Sequence, residues 1–236
     1  MKLHLYFTLI IAFAMVGCAS LAPPPTPTAE PTAAPTTTPK PSLAEGKTVF
    51  TRYDGKKYAG TVYGHGETAI ILANMSYGGE SQWDPFVKAI DKEKFTGVTF
   101  NYLMLVADDY ASAEQETEII LDTLKSAGYK RAICIGASLG VSACGYIAHD
   151  PTMVGIATIA GPNNGGLLTD ITYPKLFIAG QLDQWSSPIK SDYKKAIEPK
   201  TLIIYPDTAQ HGTDLFYSPV GDEFLKALLD FVNNIP

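Results

Sequence analysis

A chain of 236 residues, 46% hydrophobic and 18% charged, is long enough to bury one sizeable core and too apolar to be disordered over its whole length. Its net charge of −6 leaves no basic surface for nucleic acid, so a small or uncharged ligand is expected rather than a polyanion. Three cysteines and four histidines, with no Cys/His pair at ligand spacing, give no support for a metal site.

Met1-Lys2 followed by the apolar run Leu5 to Val16 has the charged start and apolar centre of an export signal, too short for a membrane span. Met15-Val16-Gly17-Cys18-Ala19-Ser20 then resembles the lipobox of bacterial lipoproteins. That resemblance implies cleavage after residue 17, a lipid on Cys18 and anchoring to the bacterial cell envelope; ordinary signal cleavage between Ala19 and Ala22 is the alternative. Residues 18–43 are mostly Pro, Thr and Ala, cannot bury enough surface to fold, and read as a semi-rigid polyproline tether.

The remainder, residues 44–236, reads as one globular domain. Thr48 to Tyr53 and Tyr58 to Tyr63 flank an Asp54-Gly55 turn, which predicts an antiparallel hairpin. Thr68 to Ala73 is a continuous apolar run suited to a strand covered on both faces. Asn74 to Ser81 is a loop, and Asp84 with Pro85 predicts the cap and first position of a helix. Further strands are expected at Val98 to Tyr102, Ala132 to Ile135, Val154 to Ala160, Lys175 to Ala179 and Leu202 to Tyr205. Helices are expected from a capping box at Ser112 to Gly128, after the Ser138 turn, from Ser187-Pro188, and from Ser218-Pro219. Strands alternating with helices predict a mostly parallel sheet with an antiparallel N-terminal pair and helices on both faces, binding ligands at the carboxyl ends of the strands. Cys134 in its strand and Cys144 in the next helix are read as small core residues rather than a disulfide.

The chemistry centres on Gly136-Ala137-Ser138-Leu139-Gly140, between a buried strand and a small-residue helix. A turn this tight needs nearly side-chain-free residues two before and two after the serine, and it leaves Ser138 projecting above the sheet edge as a nucleophile. Serine needs a base, and that base needs an orienting group. His4 lies in the signal, His65 precedes its strand and His149 ends the helix behind Ser138, which leaves His211 after the last strand. Asp183, in Gly180-Gln181-Leu182-Asp183, follows the preceding strand and is chosen as the acid; Asp207 is the runner-up and Asp170, at the entry to a strand, is set aside. The chain order is serine, acid, histidine.

With these motifs the domain resembles an α/β-hydrolase, of the compact dienelactone-hydrolase-like or esterase type. The resemblance implies two oxyanion donors, the N–H of Leu139 and that of Ser76, with Met75 as second choice, because Asn74-Met75 stands where that family usually carries His-Gly. It implies a serine hydrolase acting on small or medium carboxylic esters without a cofactor. Gly161 to Tyr173 is too short for a lipase-type cap, so an open site is expected. Tyr102, Met104, Tyr110, Trp185 and Phe216 are candidate pocket residues, with plain packing as the alternative for each. The rival readings are a non-catalytic surface binding protein of the same fold, and a peptidase or carbohydrate esterase.

Overall fold

A computed structural model describes residues 40–103, 109–162 and 168–236. The expected export signal, Cys18, all but the last residues of the tether, and Met104 lie outside these segments. Eight strands form one sheet: β1 Gly46–Thr51, β2 Lys57–Tyr63, β3 Thr68–Ala73, β4 Phe95–Phe100, β5 Arg131–Ala137, β6 Met153–Ile159, β7 Lys175–Gly180 and β8 Lys200–Tyr205. Their spatial order is β1-β2-β4-β3-β5-β6-β7-β8. β1 pairs antiparallel with β2, and β2 antiparallel with β4; every other pairing is parallel.

The helices are α1 Asp84–Ala89, α2 Tyr110–Ser126, α3 Leu139–Tyr146, α4 Ser186–Lys195 and α5 Gly221–Asn233. Strand alternation sends Ala69, Ile71 and Ala73 to one face, where they pack with Ile120 and Leu124 of α2, Ala143 and Cys144 of α3 and Ile189 of α4. Ile70 and Leu72 go to the other, with Phe86 of α1 and Phe224 and Leu228 of α5. Both faces of β3 to β7 are thus covered, which is why β3, β5 and β7 read as largely apolar runs, whereas β4 is interrupted by Thr96, Gly97 and Thr99.

The elements match the sequence reading, with differences at their ends. A 3-10 turn over Glu80–Trp83 precedes α1, so Trp83 is its cap residue and Asp84 lies inside the helix. Asn101 fixes that turn by accepting the Glu80 N–H at 2.9 Å. α2 starts three residues earlier than a Ser112 cap would allow: Asp109 is the cap, its carboxylate accepting the Ser112 N–H at 3.1 Å, while the Ser112 hydroxyl accepts from Arg52. β4 starts at Phe95 rather than Val98. A 3-10 turn over Gly212–Tyr217 delays the last helix to Gly221.

The two buried cysteines are a correction. Cys134 and Cys144 form a disulfide, with Cα atoms 5.6 Å apart. Cys134 points from β5 toward the face on which α3 lies, and the sharp turn at Ser138 folds α3 straight back over its own strand. Treating the strand and the helix as separate elements hid that approach.

Candidate active site

Ser138 sits between β5 and α3 with φ +52° and ψ −115°, a conformation that a non-glycine residue holds only when its surroundings enforce it. Two hydrogen bonds do so. Its N–H donates to the Ile159 carbonyl at 2.9 Å, and its own carbonyl accepts the Val141 N–H at 3.0 Å. The turn also closes because Gly136 and Gly140 carry no side chain: a Cβ at Gly136 would run into the Gly140 carbonyl, and one at Gly140 into the Ala73 carbonyl.

Beyond β8, His211 turns its ring toward Ser138, with Nε2 2.8 Å from Oγ. Its Nδ1 lies 2.8 Å from Oδ2 of Asp183, in the loop after β7. Asp183 Oδ1 accepts the Trp185 N–H at 2.8 Å, so both carboxylate oxygens are engaged and the group is held in one orientation. The Asp183 side chain is 1% exposed and that of His211 21%, which leaves the imidazole reachable and the acid sealed behind it. The Leu182 N–H donates to the Thr208 carbonyl at 2.9 Å and joins the two loops.

The other candidates lie elsewhere. Asp207 occupies an exposed turn at φ +50°, and its N–H donates to the Gln181 side chain. Asp170 pairs with His149 at 3.0 Å and His65 with Glu93 at 2.9 Å, both exposed.

Leu139 is the first residue of α3, so its N–H has no intrahelical acceptor and faces the Ser138 turn. Ser76 lies just past β3. The N–H of Met75, the second choice for an oxyanion donor, donates to Oε1 of Gln82 at 3.2 Å. Asn74 is buried, its Nδ2 donating to the Phe100 carbonyl and its Oδ1 accepting the Trp83 indole N–H at 2.9 Å.

The structure does not gather the candidate pocket residues into one wall. Tyr102 and Tyr110 pack with the α2–α3 side of the sheet, Trp185 and Phe216 with the α1–α5 side. Tyr102 stacks edge-on against Phe100 with centroids 5.0 Å apart, and Phe216 packs on Phe224 at 4.6 Å. Burial pushes the Tyr102 hydroxyl well above the ordinary phenol range. A cavity of about 530 Å³ between β7, β8 and α5, with Leu176, Ile203 and Phe231 in its wall, draws no residue from the Ser138, Asp183 and His211 loops. What the sequence reading missed nearest the site is the network of Asn74, Gln82 and Tyr77, whose hydroxyl donates to Asp214 at 3.1 Å. Asn74 was visible as a departure from His-Gly; nothing in the sequence singles out Gln82.

No protein-family model and no curated protein matches the sequence. Solved structures do. An esterase from Exiguobacterium antarcticum matches with TM-score 0.65 and 10% identity, over 79% of this chain and 99% of its own. A serine hydrolase without a lid from Xanthomonas campestris matches with TM-score 0.65 and 15% identity, over 83% and 97%. A predicted hydrolase from Thermoplasma acidophilum matches with TM-score 0.66 and 18% identity, over 82% and 100%. An eight-stranded, mostly parallel sheet with an antiparallel N-terminal pair and helices on both faces is the architecture these matches share with this chain: it has the α/β-hydrolase fold.

Proposed function

We propose that the protein is a serine hydrolase that cleaves carboxylic esters of small or medium size through an acyl-enzyme. The observation that carries this reading is the hydrogen-bonded row from Ser138 Oγ through the His211 ring to Asp183 Oδ2, at 2.8 Å and 2.8 Å. With the carboxylate facing Nδ1, the proton of a neutral imidazole sits on Nδ1 and the Nε2 lone pair faces the serine. His211 takes the Ser138 proton as Oγ attacks the ester carbon, and the Leu139 and Ser76 N–H groups stabilise the oxyanion. The proton then passes to the leaving alcohol, and a water activated by His211 releases the acid. Apart from the substrate and that water, each step uses side chains and backbone N–H groups of this chain.

The similar esterase and serine hydrolase structures favour the same chemistry. Hydrolysis of an aryl acetate by the full chain tests it. We expect turnover that falls by at least about 10³-fold in Ser138→Ala and in His211→Ala, with the fold retained. Turnover unchanged in Ser138→Ala would overturn the reading, and turnover of peptide amides in place of esters would make the protein a peptidase.

We also propose export and anchoring to the bacterial envelope through lipid on Cys18, with residues 18–43 as the tether. A buried disulfide in the folded domain favours an oxidising compartment. Among the described residues no helix is long and apolar enough to cross a membrane. Fatty-acid labelling of the cells should mark the wild-type chain and not Cys18→Ala; equal labelling of both would refute the anchor.

A further inference from the structure

We propose that Gln82 is a positioning residue of this site, a clamp that holds the two neighbours of Ser76 and so fixes the direction of the Ser76 N–H. This rests on the serine-hydrolase reading above. The Gln82 side-chain amide lies inside the loop that follows β3. Its Oε1 accepts the Met75 N–H at 3.2 Å, and its Nε2 donates to the Tyr77 carbonyl. One planar group therefore bonds the residue before Ser76 and the residue after it. These partners also fix which way round the amide sits, since an N–H must face oxygen and a carbonyl must face the NH₂ group. The loop closes tightly round the amide: at Gly78, φ +82°, a Cβ would meet Gln82 Nε2.

The same oxygen accepts the Thr213 hydroxyl at 3.3 Å, two residues past His211. Gln82 is thus bonded to the loop that would present one oxyanion donor and to the loop that carries the imidazole. Its own base is firm, because Glu80 of the same 3-10 turn accepts the Thr61 and Thr99 hydroxyls at 2.7 Å and 3.0 Å from the sheet. An oxyanion donor acts only if its N–H is already aimed where charge will develop, since reorientation during reaction forfeits the gain. Without the clamp, Met75 and Tyr77 would turn to water and the Ser76 N–H would swing with them.

Two substitutions in the full chain test the proposal, each assayed on an aryl acetate beside the wild type. Gln82→Met keeps length and removes every side-chain hydrogen bond; kcat should fall about 10- to 100-fold with KM within about threefold, because the interaction lost is one made with the transition state. Gln82→Glu keeps an acceptor for Met75 and Thr213 but sets a carboxylate against the Tyr77 carbonyl and beside the oxyanion. Protonation restores a donor and removes the charge, so the ratio of its kcat to the wild-type value should rise about fivefold or more from about pH 8 to about pH 5.5. A merely structural role would move neither the split nor that ratio. Folded Gln82→Met with kcat within about twofold of wild type, or a flat Gln82→Glu ratio, would overturn the clamp. A wild-type chain inert toward esters and toward serine-directed probes would instead overturn the hydrolase reading beneath it.

Discussion

Asn74 sits where the resemblance leads one to expect histidine, and the structure gives it a purpose of its own. Its amide satisfies two buried groups at once, the Trp83 indole N–H and the Phe100 carbonyl. Asn74→Leu would leave both unpaired, so we expect a loss of about 1–3 kcal/mol for each orphaned group, read by urea unfolding. A loss under about 0.5 kcal/mol would show that water replaces the amide. The elbow glycines make a second prediction at this scale. Gly140→Ala drives a methyl into the Ala73 carbonyl, and the strand, the helix or the Ser138 conformation must yield. Activity should be lost along with about 1–3 kcal/mol of stability. Ser138 stood out by its flanking glycines and His211 because the chain has four histidines and chain order leaves one choice for the base, whereas Asp183 had to be chosen over Asp207 and Asp170. Gln82 was not, since a glutamine in a polar loop carries no periodicity and acquires its contacts only when two distant loops meet.

Among the elements, β5 and α3 are stapled across the Ser138 turn by Cys134–Cys144. A link closing a loop of ten residues' separation limits the unfolded chain by about 3 kcal/mol. Cys134→Ala with Cys144→Ala should destabilise by about that amount while the hydrogen bonds at Ser138 persist, so ester turnover should survive below the new melting temperature. Turnover lost in a folded variant would mean that the staple itself shapes the elbow. The N-terminal hairpin is joined to α2 by Arg52, whose Nη1 lies 2.9 Å from the buried Glu116 carboxylate. Burial pushes the Glu116 carboxyl above its ordinary range, against the opposing pull of the Leu103 N–H and Arg52. Removing the cation in Arg52→Met should cost about 3–5 kcal/mol at neutral pH, by stranding a buried charge. With its folded pKa above the unfolded one, Glu116 gains a proton on folding in the acid range, so the deficit should shrink as pH falls from about 8 to about 5. A deficit independent of pH would refute that account. Strand positions were readable where buried parallel strands are apolar runs, and the start of β4 was hidden by Thr96 and Gly97. Helix starts were missed by a few residues, because Asp109 and the two 3-10 turns take their caps from loop geometry that spacing does not carry.

At the scale of the whole molecule, the strand order puts β5 at the centre of the parallel region, and the carboxyl ends of β3, β5, β7 and β8 deliver Ser76, Ser138, Asp183 and His211 to one edge of the sheet. Alternation of strand and helix gave that architecture away, since right-handed crossovers leave few ways to connect such a chain. A substrate pocket was not legible: aromatic side chains from adjacent loops fall on opposite faces of the sheet, and only the folded chain decides which. Everything proposed for this site requires Ser138 to be an activated nucleophile. Treating the full chain with a fluorophosphonate and mapping the adduct by mass spectrometry tests it most directly. One adduct is expected, on Ser138, absent from Ser138→Ala and strongly slowed in His211→Ala. A folded wild-type chain that stays unmodified, or an adduct on any other residue, would contradict it.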